Sequence, residues 1–309
     1  MKENGVSSVL ANGIQIAYEE YGNAGDPVLL MVQGLGMPLS AWPPVYLEPL
    51  VAAGFRVIIF DNRDIGRSQL LSDLKVPNML LELLRLKLRM KVRAPYQLDD
   101  MMRDTVGLMD ALQIDSAHLV GVSMGGMISQ LLAIHEPTRV RSLTSIMSTT
   151  NDRKLPGPTK AVKKHIARGP RSTAPEEQLK YHWKLWRLLG SPKYPLSDEE
   201  LGQFLKRVFE RGVTAEGVAR QALAIFAAPS RVQALQTLEI PTLIIHGDAD
   251  PLIRVECGTQ TARAIPDAKM VTITGMGHDL PQELAARLTG LIVEHAKRVD
   301  AGSGRKVTA

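Results

Sequence analysis

The sequence predicts an α/β fold: a mostly parallel sheet flanked by helices, with a helical cap inserted before the sheet is complete. Three observations carry that prediction. Short apolar runs alternate with helically spaced segments through residues 1–147. The alternation stops over 148–231, where seven prolines separate helix-like stretches. It resumes at Pro241 and continues almost to the end of the chain. A βαβα rhythm is what parallel strands with helices on both faces produce. The chain therefore divides into a core of 1–147 plus 232–309 and a cap of 148–231.

The elements follow in order. Residues 14–18 alternate as a short strand, and 28–32 form a continuous apolar run, Val-Leu-Leu-Met-Val. Helical spacing covers 40–53, closing at Gly54, and 56–60 is a further buried-strand candidate. Over 98–112, Leu98, Met101, Met102, Thr105, Leu108, Met109 and Leu112 share one helical stripe. A strand over 118–122 leads into a helix over 124–135, stopped before Pro137, and 140–147 is again a strand. Within the cap, 176–189 and 197–211 are the clearest helices; Ser197 with Glu200 three residues on makes a capping-box start. A strand over 242–246, a helix over 256–264, a strand over 269–273 and a helix over 281–297 complete the core. The small, polar tail 301–309 is expected to be disordered.

Residues 84–93 alternate apolar and cationic side chains, a strand period. Leu, Lys, Arg and Met are nevertheless strong helix formers, so the expectation is a helix over 77–93, an additional cap helix. No aromatics interleave its cations, which argues against a single-stranded nucleic acid partner.

Composition excludes several classes. Among 309 residues, 45% hydrophobic and 22% charged side chains exclude disorder and collagen-like repetition for the chain as a whole. The single cysteine, Cys257, rules out an internal disulfide or a cysteine-rich zinc site and suggests a reducing, cytoplasmic location. The first residues lead into no signal-peptide core, and no apolar run approaches the ~20 residues of a membrane span. The net charge of +5 is mild. No cofactor, metal, nucleic acid or stable membrane insertion is expected, and the oligomeric state is not legible.

The chemistry centres on Gly121-Val122-Ser123-Met124-Gly125, a G-x-S-x-G between a strand and a helix. That context marks a turn tight enough to need glycine on both sides, lifting the serine above the sheet. A serine hydroxyl needs a base to take its proton. Of seven histidines, His278 alone sits in a glycine-flanked loop between the last strand and the last helix. The base needs a carboxylate to hold its tautomer. Residues 246–251, His-Gly-Asp-Ala-Asp-Pro, offer two. Asp250 lies further into the loop, while Asp248 is better placed to cap the turn. The oxyanion donors expected are the N–H groups of Met124, directly after the serine, and of Leu35 in the glycine-rich loop 33–36. That loop is no dinucleotide fingerprint, since Leu39 stands at the third glycine position.

Together these segments resemble the α/β-hydrolase superfamily, in its capped, carboxylesterase-like branch, over residues 10–298. Residues 60–68, Phe-Asp-Asn-Arg-Asp-Ile-Gly-Arg-Ser, look like that family's D-x-R-G-x-G-x-S loop, and the order Ser123, Asp250, His278 matches its nucleophile, acid and base. There are two departures. Gln33 stands where many members carry His, so the loop's bracing should differ. Asp64 replaces a usual glycine and is expected to add charge near the site mouth. Aclacinomycin-methylesterase-like members are similar in having Asp there, which hints at methyl esters. The resemblance implies a serine hydrolase cleaving carboxylic esters through an acyl-enzyme, without a cofactor. Lactone, thioester or C–C hydrolysis and perhydrolysis use the same triad, and a ligand sensor retaining the fold is a separate alternative. Gly36, Trp183, Trp186 and Phe226, with Leu185, Phe204 and Phe209, are candidates to line an apolar substrate pocket.

Overall fold

The structure, a computed structural model, describes residues 7–303 apart from residue 173. Eight strands form one sheet: β1 (Ser7–Ala11), β2 (Ile14–Tyr21), β3 (Val28–Val32), β4 (Arg56–Phe60), β5 (Ala117–Val122), β6 (Val140–Ile146), β7 (Thr242–Gly247) and β8 (Lys269–Ile273). Their order is β1-β2-β4-β3-β5-β6-β7-β8. β2 runs antiparallel to β1 and β4; every other pairing is parallel. The apolar runs at β3 and β5 are continuous because helices bury both faces of the strands. In β3, Leu29 and Met31 face one core cluster while Leu30 and Val32 face the other. α1 (Pro44–Ala52) and α11 (Ala285–Ser303) cover the first face, and α3 (Leu98–Ala111) and α4 (Met124–His135) cover the second.

β1 escapes a periodicity reading. It is a mostly exposed edge strand in which Ala11 is buried in the core and Val9 packs against it, too few positions to show a period. α11 continues to Ser303, so residues 301–303 are helical, contrary to expectation; the remainder of the expected tail lies outside the described residues.

α2 (Met79–Lys87) is shorter than the helix expected over 77–93. Asn78 caps its start by accepting from the N–H groups of Leu80 and Leu81. It stops without glycine: Arg89 takes a left-handed φ of 57°, and Met90 and Arg89 donate to the carbonyls of Arg85 and Leu86. Those two bonds form a Schellman closure. The Glu82 carboxylate then accepts the Arg93 N–H at 2.8 Å, drawing the following chain back over the helix. The strand-like alternation of 88–93 is not expressed: Val92 is buried between exposed Lys91 and Arg93, but Leu88 and Met90 are exposed as well.

Between β6 and β7 lie α5 (Lys160–Arg168), α6 (Pro175–Leu189), α7 (Asp198–Arg211) and α8 (Ala215–Ala227), with α9 (Val232–Leu235) leading back to the sheet and α10 (Val255–Ala264) following β7. Buried charge joins this segment to the sheet. Asp64 is not at a site mouth; it is fully buried, and both its oxygens pair with Arg220 of α8 at 2.7 and 2.8 Å. Its φ of 69° explains why glycine is usual at that position. Next to it, Arg211 of α7 pairs with Asp61 at 3.0 Å and Glu19 at 2.8 Å, and Ile65 bridges Val213.

Breaking one partner of a buried pair leaves an uncompensated charge, at about 3 kcal/mol or more. Arg220→Met should lower the unfolding free energy by about that amount in urea titrations. Adding Asp64→Gly, which removes the orphaned carboxylate and suits the left-handed backbone, should recover most of the loss.

Candidate active site

Four loops converge at the carboxyl ends of the parallel strands, where open α/β sheets place their ligand sites. They follow β3, β5, β7 and β8 and carry residues 33–37, Ser123, Asp250 and His278. Ser123 stands between β5 and α4 with φ 55° and ψ −117°, a strained conformation for a residue with a side chain. A Cβ on Gly125 would lie 2.0 Å from the Val32 carbonyl oxygen, and one on Gly121 would lie 2.4 Å from that of Gly125. Both glycines are therefore steric requirements. Ser123 N–H donates to the Ile146 carbonyl at 2.9 Å, and the Ser148 hydroxyl donates to the Ser123 carbonyl at 2.7 Å.

A chain of hydrogen bonds starts at the serine. His278 Nε2 lies 3.1 Å from Ser123 Oγ, and His278 Nδ1 lies 2.7 Å from Asp250 Oδ2. The carboxylate can only accept, so Nδ1 carries the proton and Nε2 faces the serine as an acceptor in the neutral ring. Asp250 Oδ1 accepts from the backbone N–H groups of Leu252 and Ile253 at 2.8 and 2.9 Å. Burial opposes the Asp250 charge, but His278 and His246 more than offset it and hold the carboxyl well below the usual range. Asp248 is elsewhere: exposed, it accepts the Gly275 N–H at 2.6 Å and ties the β7 loop to the β8 loop.

In the loop after β3, Gln33 accepts the N–H of Gly34, and its carbonyl accepts from Asn62 Nδ2. Gly36 N–H is taken by Gln221 of α8 at 2.9 Å, while Gln221 Nε2 donates to the Arg63 carbonyl at 2.8 Å. Among the described residues, no protein acceptor takes the N–H of Leu35 or of Met124.

Ser123 and His278 border a cavity of about 250 Å³. Leu185 and Trp186 of α6, Phe204 and Phe209 of α7, and Gly36 also line it. Trp183 and Phe226 do not. The lining face of α6 carries His182, Leu185, Trp186 and Leu189, at helical spacing. Trp183 is about 100° around from His182 and lies against Arg187. Phe226 is eight residues beyond Val218, the lining residue of α8, and about 80° off its face. No residue of α2 lines the cavity.

The profile of the alpha/beta hydrolase fold family matches residues 27–281. The chain belongs to that family. Among relatives of this hydrolase is rhodomycin D methylesterase of Streptomyces peucetius, 28% identical over 299 residues, covering 90% of this chain and 94% of the other. 3-Oxoadipate enol-lactonase 2 of Acinetobacter baylyi is 27% identical over 253 residues, covering 81% and 82%. Among solved structures, a thermophilic esterase from Thermogutta terrifontis superposes with a TM-score of 0.71 at 25% identity, covering 96% of this chain and 99% of that one.

Two parts of this α/β-hydrolase site are not visible in the sequence. His246, at the end of β7, lies behind Asp250: its Nε2 is 3.5 Å from Asp250 Oδ2 and 2.7 Å from the Ile253 carbonyl. Gln221 braces Gly36 across 185 residues, a separation no local pattern encodes. A third bond network holds the His278 loop. Ser191, after α6, donates its hydroxyl and its N–H to Asp279 and accepts the Gly277 N–H at 2.8 Å, while His278 N–H donates to the Leu189 carbonyl at 2.8 Å.

Burial pushes the Asp279 carboxyl up to about 6, against the Ser191 bonds and His278, which favour its charge. The sign for stability follows. The unfolded chain releases this proton near 4 and the folded chain near 6, so stability is lost as pH rises through that interval. Asp279→Asn should be more stable than the parent at pH 8, by up to about 3 kcal/mol, and equal to it at pH 4. Urea midpoints across that range check the slope.

Proposed function

We propose that the protein hydrolyses carboxylic esters through an acyl-enzyme on Ser123. The observation that carries the reading is the continuous bond chain from Ser123 through His278 to Asp250, bordering an apolar cavity. In the reaction, His278 Nε2 takes the Ser123 proton as Oγ attacks the ester carbonyl. The imidazolium formed is stabilised by Asp250, whose other oxygen is held by two backbone donors. The N–H groups of Leu35 and Met124 bind the oxyanion, a role their freedom from other acceptors supports. His278 then protonates the leaving alcohol. Water, activated by the same imidazole, releases the acid and restores Ser123. No step draws on a cofactor.

The segment 148–231 acts as a cap whose α6 and α7 side chains select the acyl or alcohol group. An apolar wall favours esters with little charge near the carbonyl. The similarity to rhodomycin D methylesterase supports small alcohol groups such as methyl, and the similarity to an enol-lactonase keeps cyclic esters within the same chemistry. The partner is thus a small-molecule ester. The lone Cys257, buried and unpaired, fits a reducing compartment such as the cytoplasm.

Hydrolysis of p-nitrophenyl esters tests the reading. Ser123→Ala should lower kcat by about 10⁶-fold while circular dichroism melts stay unchanged. A Ser123→Ala enzyme retaining full activity would end the hydrolase assignment. Asp250→Asn should lower kcat by about 10⁴-fold, and Asp248→Asn by less than about tenfold because Asp248 touches only the turn. Trp186→Ala should shift chain-length preference toward longer acyl groups while acetate turnover is largely kept. Trp183→Ala should keep the parent's preference.

A further inference from the structure

α2 is built inside out. Its one buried side chain is Glu82, 4% exposed, held by the Arg93 N–H and by Arg85 at 3.6 Å. Four of its five leucines face away from the protein: Leu80 is 78% exposed and Leu81, Leu83 and Leu84 are exposed, while Leu86 is half-buried; Leu88 at the cap is 60% exposed. At 100° per residue, the five exposed leucines and Lys87 fill one arc about 160° wide. Met90, exposed as well, continues the patch into the returning chain. A soluble helix ordinarily places its apolar stripe inward. Here the stripe has no cover among the described residues, and contiguous apolar surface of this kind marks a contact site.

The charge around the stripe discriminates among occupants. Lys87, Arg89, Lys91 and Arg93 are exposed beside it. Between Leu74 and Leu98 the only acidic residue is Glu82, which is turned inward. A second copy of the chain would meet this face in a two-fold contact, patch on patch. That arrangement sets cations against cations with no carboxylate between them. A surface that is apolar in depth and anionic at its rim satisfies both halves of the pattern. We propose that α2 and the returning chain 88–93 form a peripheral docking surface for an anionic lipid bilayer. The leucines enter the acyl boundary, and the cations lie among the headgroups. One apolar contact plus one polybasic contact is what reversible anchoring needs. Spanning is not involved, since no helix of the described residues is long and apolar enough to cross a membrane. None of these residues lines the cavity, so the inference stands apart from the ester-hydrolase reading.

Vesicle co-sedimentation of the full chain tests it, using phosphatidylcholine vesicles with and without about one third phosphatidylglycerol. The expected result is at least about tenfold stronger partition to the anionic vesicles, falling steeply with added salt. Each cation near the surface contributes roughly a fivefold factor, so Lys87→Glu/Arg89→Glu/Lys91→Glu should lose at least about a hundredfold. Leu80→Ser/Leu84→Ser/Leu88→Ser should release the protein from the same vesicles. Both variants should keep the parent's melting temperature and its turnover of a soluble acetate ester. The lipid and salt titrations of the parent need no variant and decide the matter even if one fails to fold. Equal binding to both vesicle types, or to neither, overturns the proposal. So does a micromolar dimer that the leucine variant disperses, which would make the occupant a second copy.

Discussion

The turn at Ser123 constrains everything around it. To present a hydroxyl at the end of the central strand, the chain must reverse from β5 into α4 within one residue, and φ 55° at a serine is the consequence. Backbone in so sparsely populated a region costs about 1–3 kcal/mol, and the surrounding structure holds it there. β3 approaches so near that Val32 excludes any side chain at position 125. β3 and β5 must therefore be neighbours, and Val32 is registered against Gly121. That same register brings the loop after β3 beside the serine, so the position of that loop follows from the sheet order. The loops after β7 and β8 reach across from the far side of β6 because parallel strands end on one edge.

The helices between β6 and β7 do more than cover the cavity. α8 supplies Gln221 to Gly36 and Arg220 to Asp64, so one helix face braces the loops after β3 and β4. The end of α6 supplies the Leu189 carbonyl and Ser191 to the His278 loop. These contacts are buried, and a lost charge-assisted hydrogen bond there is worth about 1.5–3 kcal/mol. These helices thus couple the geometry of the loops to their own packing. A movement of α8 large enough to strip Gln221 from Gly36 would also disturb the loop that carries Leu35. Rearrangement confined to α5 and the outer turns of α6 would leave both braces in place.

Much of this was legible in the sequence, for identifiable reasons. Buried parallel strands show as unbroken apolar runs, and the Ser123 turn shows through its glycines because only glycine fits there. Asp250 could be preferred to Asp248 from its depth in the loop, and the geometry separates them, one beneath His278 and the other at the surface. What escaped was set by distance or by phase. Gln221 acts across the fold. Asp64 read as a charge at the mouth because nothing local announces Arg220 156 residues later. Trp183 and Phe226 have the apolar area a pocket wall needs, but pocket lining is decided by rotation around the helix axis. The end of α2 leaves no mark in the sequence because Arg89 adopts a left-handed conformation that glycine usually supplies.

Two neighbouring carboxyl groups show how environment, and not sequence adjacency, assigns roles. Asp279 adjoins His278 in the chain and borders the cavity, yet burial raises its carboxyl to about 6. Asp250 is 28 residues away and just as buried, yet it stays charged. The difference lies in their donors. Asp250 accepts two backbone N–H groups on one oxygen and faces two imidazoles with the other. Asp279 has only the N–H and hydroxyl of Ser191, and it feels the negative charge of Asp250 as well. A group that must stabilise an imidazolium has to be ionised before the imidazolium forms. Separated carboxyl affinities of this kind are how a buried site keeps two acids in different states. In the proposed reaction that group is Asp250, which His278 and His246 hold in its charged form. Asp279, its carboxyl raised by burial and bonded to Ser191, instead fixes the position of the loop on which His278 stands.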